Sequence, residues 1–118
     1  MGRAIARRLQ AEGLRVELHD DHFPQGTPDT VWLSEVGRRR WCVLTKDTRI
    51  RHRPSEKHAL LAAAVRAFAF TSGNLSGAQM AEAIVKALPK MMALLASHPN
   101  AFIARITAAS DVAILLEE

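Results

Sequence analysis

Trp41-Cys42-Val43-Leu44-Thr45-Lys46-Asp47 runs a short apolar strand into a polar, basic turn and ends on a carboxylate. In open α/β sheets the carboxyl ends of strands are where chemistry sits, because the loops leaving them line one crevice. Upstream, Asp29 stands where a helix should start, and Asp20 and Asp21 follow another short apolar stretch. Acids at several such ends can converge on one metal.

Residues 2–12 place Ile5 and Leu9 one helical turn apart and stop at Gly13, which predicts an amphipathic helix. Leu14 to Leu18 alternates apolar with polar residues, which predicts a short strand ending in His19-Asp20-Asp21-His22. After Pro24-Gln25-Gly26, Thr27 is placed to cap a helix, with Pro28 in its first position and Asp29 favourably set against its dipole. That helix extends to about Arg39, with Trp32 and Val36 on one face.

Beyond Asp47 the basic residues Arg49, Arg51, His52 and Arg53 lead to Pro54, and Ser55 to Ala64 reads as a helix. Ala67 to Thr71 reads as a strand. Ser76 and Gln79 have capping-box spacing, followed by an apolar stripe of Met80, Ile84, Leu88, Met91 or Met92, and Leu95. Pro89 should kink or divide this longest helix. Two closing strands are expected at Ala101 to Ile106 and Val112 to Leu116. The alternation predicts an α/β fold with a mostly parallel sheet covered on both faces by helices. Because the sequence opens on a helix, the expected sheet lacks a leading strand.

The 118 residues suit a single domain over 1–118, long enough to bury roughly two-thirds of the surface of the unfolded chain. With 48% hydrophobic and 24% charged residues, disordered and fibrous classes are excluded. Few aromatics imply an aliphatic core. The net charge of +4, richer in Arg than Lys, favours an anionic partner such as nucleic acid. Cys42, the single cysteine, reads as a small core residue in a reducing compartment. No stretch has the form of a signal peptide or the roughly 20 apolar residues of a membrane span, so a cytoplasmic location is expected.

In a parallel sheet Asp47, Asp29 and the Asp20/Asp21 pair would face the same crevice. Clustered carboxylate oxygens suit Mg2+ or Mn2+, and the matching reaction is phosphodiester hydrolysis, with the basic stretch from Lys46 to Arg53 holding the anionic backbone. Plainer roles stand beside each residue. Asp29 serves as a helix-start acid, Asp47 as a turn residue, Asp20 and Asp21 as solvated acids, and the arginines as a solvated face. His19 and His22 alone do not make a zinc site.

The pattern Asp29-x-x-Trp32-Leu33, then Trp41-x-Val43-Leu44-Thr45-Lys46-Asp47, then Ile50-Arg51-x-Arg53-Pro54-x-Glu56, resembles the PIN-like nuclease superfamily. More narrowly it resembles the small VapC-type toxins of bacterial toxin–antitoxin systems, a likeness that Thr71-Ser-Gly-Asn-Leu-Ser76 and Met80-Ala-Glu-Ala83 extend over nearly the whole chain. The resemblance implies a three-layer sandwich and a metal-dependent ribonuclease. Asp29 and Asp47 would be metal-site acids, with Asp21 or Asp20 near a third. Thr45 would support the site, Lys46, Arg49, Arg51 and Arg53 would contact RNA, and Glu56 would be an accessory acid. The implied partners are RNA and an antitoxin protein.

One departure is plain: the family begins with a strand ending in its first metal-binding Asp, and nothing before Gly2 supplies it. Either Met1 is an internal start of a longer natural chain, or the chain is a degraded member keeping the fold without full activity. A second function is therefore a catalytically silent module that binds nucleic acid or an antitoxin. A third is homodimer formation through the stripe from Met80 to Leu95.

Overall fold

The computed structural model describes residues 2–46, 54–71 and 74–117. Helix α1 (Arg3–Ala11) buries the face formed by Ile5, Ala6 and Leu9. It is ended by Gly13, whose φ of 87° suits a residue without a Cβ. Residues 14–18 form neither helix nor strand, which corrects the expectation from their alternation. Leu14 and Val16 do pack on the core, but a strand exists only through a neighbour's hydrogen bonds, and among the described residues none pairs with this segment. His19–His22 instead closes into a single turn, α2.

Helix α3 (Asp29–Arg38) starts one residue later in its capping frame than expected: Pro28 is the N-cap, while the Thr27 hydroxyl donates to the Pro24 carbonyl at 2.6 Å. Strand β1 (Cys42–Thr45), helix α4 (Pro54–Ala62) and strand β2 (Arg66–Phe70) follow. Helix α5 (Gly77–Ser97) carries the full capping box, with Ser76 Oγ accepting from the Gln79 amide and the Gln79 side chain accepting from the Ser76 amide. Pro89 does not divide it. The proline lies on the exposed side, where water can serve the carbonyl it strands, and burial of Met80, Ile84, Ala87 and Met91 holds the helix continuous. Strands β3 (Phe102–Ile106) and β4 (Val112–Glu117) complete the chain.

The strands form one sheet in the order β1-β2-β3-β4, parallel between the first three and antiparallel at β3/β4. Val43 lies opposite Ala67, Ala67 opposite Ile103, and Ile103 opposite Leu116. On one face α1 and α5 bury Ile5, Leu9, Met80 and Ile84 against Phe68, Phe70, Phe102 and Ile106. On the other, α3 and α4 bury Leu33, Val36 and Leu60 against Ala67 and Ile103. The result is an α/β three-layer sandwich with a mostly parallel sheet.

The aromatics of the core are Phe68, Phe70 and Phe102, each at most 1% exposed, with Phe68 and Phe102 edge to face at 5.4 Å. Burying one such ring stabilises the fold by about 1.5–3 kcal/mol, more than any surface ion pair here. The α3/α4 layer is equally close: a Cβ built on Gly37 would meet the Ala63 carbonyl oxygen at 2.1 Å, so only glycine fits. Arg66, at the start of β2, donates to the Leu95 carbonyl at 3.0 Å and so places a cation at the carboxyl end of α5.

Candidate functional site

Strand β1 sits at the sheet edge, and its carboxyl end presents half-buried Thr45 and exposed Lys46. Asp47, Arg49, Arg51 and Arg53 lie outside the described residues, as does the side chain of Glu56. Asp20, Asp21 and Asp29, the other acids predicted for the site, lie among the described residues. Asp29, at the first turn of α3, accepts from the Trp32 indole Nε1 at 2.8 Å, the one-turn spacing that brings residues three apart together. Asp21 accepts from Arg3 at 2.9 Å, and Asp20 is exposed beside His19, whose Nδ1 lies 3.3 Å from its Oδ1.

Around these acids stands a ring cluster that the sequence patterns did not single out. His19 meets Trp32 edge to face at 5.1 Å and Phe23 at 5.2 Å, and His22 meets Trp41 at 5.2 Å. These rings, with Val43 and Thr45, line a cavity of about 270 Å³ on the α3 side of β1. The signal was present as two histidines three apart ahead of two tryptophans, but such spacing does not say which rings meet. Arg39 covers the Trp41 ring at 4.8 Å, and Arg38 and Arg39 both bind Glu35, holding its carboxyl down at about 2.

A second cavity, of about 260 Å³, lies on the α1/α5 side and is lined by Leu9, Val16, Ile84 and Met91, among others. Glu17, Leu18, Cys42 and Leu44 border both cavities. They therefore flank one gap between residues 14–18 and β1. Cys42 fronts that gap and is exposed, which corrects the expectation of a buried core cysteine. The protein atoms around it push the thiol up to about 12, with nearby Arg66 pulling the other way. Glu17, bonded to His22 at 2.9 Å and near Arg15, is held below the usual carboxylate range, chiefly by His22.

Carboxylate oxygens are the right donors for Mg2+ or Mn2+. Among the described residues, however, no three His, Cys, Asp or Glu side chains are grouped to hold a metal ion. Asp29 and Asp21 are each engaged by a neighbouring donor instead. The donor set described here does not by itself fit a metal centre.

A layered α/β domain with a mostly parallel sheet and a ring-lined cavity beside its first strand is the class that fold and site define. A family model described as a PIN-like domain matches residues 1–72, and the chain belongs to that family. Searches of curated proteins and of solved structures found no match. Among the described residues no helix is long and apolar enough to cross a membrane.

Proposed function

We propose that this PIN-like chain is a ribonuclease of the toxin type that hydrolyses RNA phosphodiester bonds in the cytoplasm and pairs with an antitoxin protein. The observation that carries the proposal is the family match over residues 1–72, a span that takes in Asp21, Asp29, Asp47 and the basic stretch Lys46 to Arg53. Asp29, Asp47 and Asp21, with Asp20 beside it, are the proposed acids. Lys46, Arg49, Arg51 and Arg53 would bind phosphates through charge, Thr45 would orient the strand end, and Glu56 would assist. When bound, Mg2+ or Mn2+ would activate water and stabilise charge on the departing oxygen. A free Asp29 requires that its indole partner yield, and Trp32→Phe removes that donor while keeping the ring's bulk.

A second reading is a catalytically silent module that binds RNA or the antitoxin. It is favoured by the absence, among the described residues, of a three-donor group. RNA cleavage measured in Mg2+ or Mn2+ with and without EDTA separates the two, with Asp47→Asn as control. Cleavage that needs metal and is lost in the variant supports the enzyme. Binding without cleavage supports the module, and cleavage surviving both changes overturns the metal-dependent reading.

A further inference from the structure

The ring-lined cavity on the α3 side has walls of two kinds. One is aromatic: Phe23, Trp32 and Trp41 line it with the imidazoles of His19 and His22, which meet the two indoles at 5.1 and 5.2 Å. Walls of this kind stack on the flat face of a nucleobase. The other is acidic, because Glu17 lines the same cavity and, bonded to His22 at 2.9 Å, stays a carboxylate. Among the described residues no lysine or arginine lines the cavity, so it repels a phosphate group and suits a neutral ring that carries N–H donors. Its volume of about 270 Å³ falls just below the roughly 300–1,000 Å³ of ordinary ligand pockets, which leaves room for a single planar group.

The cations stand outside the cavity and are joined to it through Trp41. The Arg39 guanidinium lies 4.8 Å over the ring of Trp41, which is also part of the cavity wall. Arg38-Arg39-Arg40 closes α3, and Glu35 binds the first two. Arg40 is exposed, has no ion pair among the described residues, and with a φ of 57° ends the helical run. Three guanidinium groups against one carboxylate leave positive charge beside a half-buried indole, the pairing of cation and ring that binds single-stranded nucleic acid. A double helix does not fit, since its bases are paired and stacked and none is free to enter.

We infer that the cavity receives one unpaired guanine of a single-stranded RNA, stacked on Trp32 and Trp41 and read by the Glu17 carboxylate, while Arg39 and Arg40 hold the adjoining phosphates. Guanine carries a ring N–H and an amino group side by side, which match the two oxygens of a carboxylate; adenine turns a lone pair towards them. The bonds of Glu17 to His22 and Arg15 leave it acceptor capacity, because each carboxylate oxygen has two lone pairs. The inference rests on the reading of RNA as ligand and adds a base and a strand state to it. It requires no cleavage.

The test is titration of the 118-residue chain, in EDTA, with a short oligouridylate carrying a central guanosine, followed by the fluorescence of Trp32 and Trp41. The guanosine oligomer should quench that fluorescence and bind about tenfold or more tightly than the same oligomer with an abasic centre, the weight of one stacked base. Central adenosine should bind about tenfold more weakly than guanosine, the discrimination of one bidentate pair, and Glu17→Gln should remove the difference. Arg40→Gln should weaken the guanosine and abasic oligomers alike and lower the salt dependence of both. Equal affinity for guanosine and abasic centres, or no binding, overturns the base cavity, and these probes act on the unaltered chain, so misfolding cannot imitate the result. Equal affinity for guanosine and adenosine overturns guanine as the base. Free guanosine monophosphate binding as tightly as the oligomer overturns an RNA strand as its source. Metal-dependent cleavage without base preference strikes the cavity alone, and base preference without cleavage in Mg2+ or Mn2+ strikes the enzyme alone.

Discussion

The body of the sheet and its β1 edge are built from similar residues and differ in completeness. In the body, β2 and β3 are flanked by strands on both sides and roofed by helices, so Phe68, Phe102, Ile103 and Ile106 are fully buried. At the edge, Leu44 packs against one cluster and Val43 against the other, but both remain half-buried, because among the described residues β1 pairs with a strand on one side alone. The difference teaches that helical cover alone does not bury a parallel strand. Lateral pairing closes the last solvent path.

The comparison breaks if equal truncations cost the same in both regions. Ile103→Ala should lose about 2–5 kcal/mol in denaturant unfolding, whereas Leu44→Ala, which removes the same three carbons from a half-buried site, should lose no more than about 1 kcal/mol. Equal losses would mean that the edge is packed as tightly as the body. Gly37→Ala sharpens the contrast inside the edge half itself, because α3 and α4 are in close contact there. The alanine gains about 1 kcal/mol of helix propensity but meets a backbone oxygen, and overpacking of about 1–3 kcal/mol should win. A rise in unfolding midpoint would show that the two helices are free to separate.

Ser76→Ala removes one half of the capping box of α5 and should cost about 1 kcal/mol, a local loss within the body. The smallest effect concerns acid. Glu35 ionises at about 2 in the folded chain against 4.5 in its absence of partners, a depressed value. Its contribution is therefore full above about 4.5 and is lost as pH falls towards about 2. Glu35→Gln should flatten that part of the profile of melting temperature against pH and leave neutral stability nearly unchanged, since exposed ion pairs contribute little. An unaltered acid limb would place the sensitivity elsewhere, with Glu17 the next candidate.

Features fixed by neighbours in sequence were legible. The cap at Ser76, the stripe of α5, the strand over Cys42–Thr45 and the mostly parallel sheet all follow from local chemistry and period. What failed depended on distant partners. Leu14 to Leu18 has the alternation of a strand but no ladder, and Cys42 has the surroundings of a core residue but an open side. Pro89 has the chemistry of a breaker, yet tertiary burial of α5 outweighs it. At the candidate site, Asp29 was visible as a helix-start acid, and its bond to Trp32 follows from helical spacing. The meeting of His19 with Trp32 and His22 with Trp41 could not be read, because it depends on how α2 folds back on α3.

Cys42 turns the incomplete edge into something that can be timed. As the chain's sole sulfhydryl it can react at one place only, and with its proton held up to about 12 the nucleophilic anion is scarce near neutrality. Alkylation should be slow at neutral pH and accelerate in alkali, and whatever fills the gap beside it should slow the reaction further. One sulfur atom thus serves as a clock for the occupancy of the sheet edge, read by mass alone and without any knowledge of the substrate.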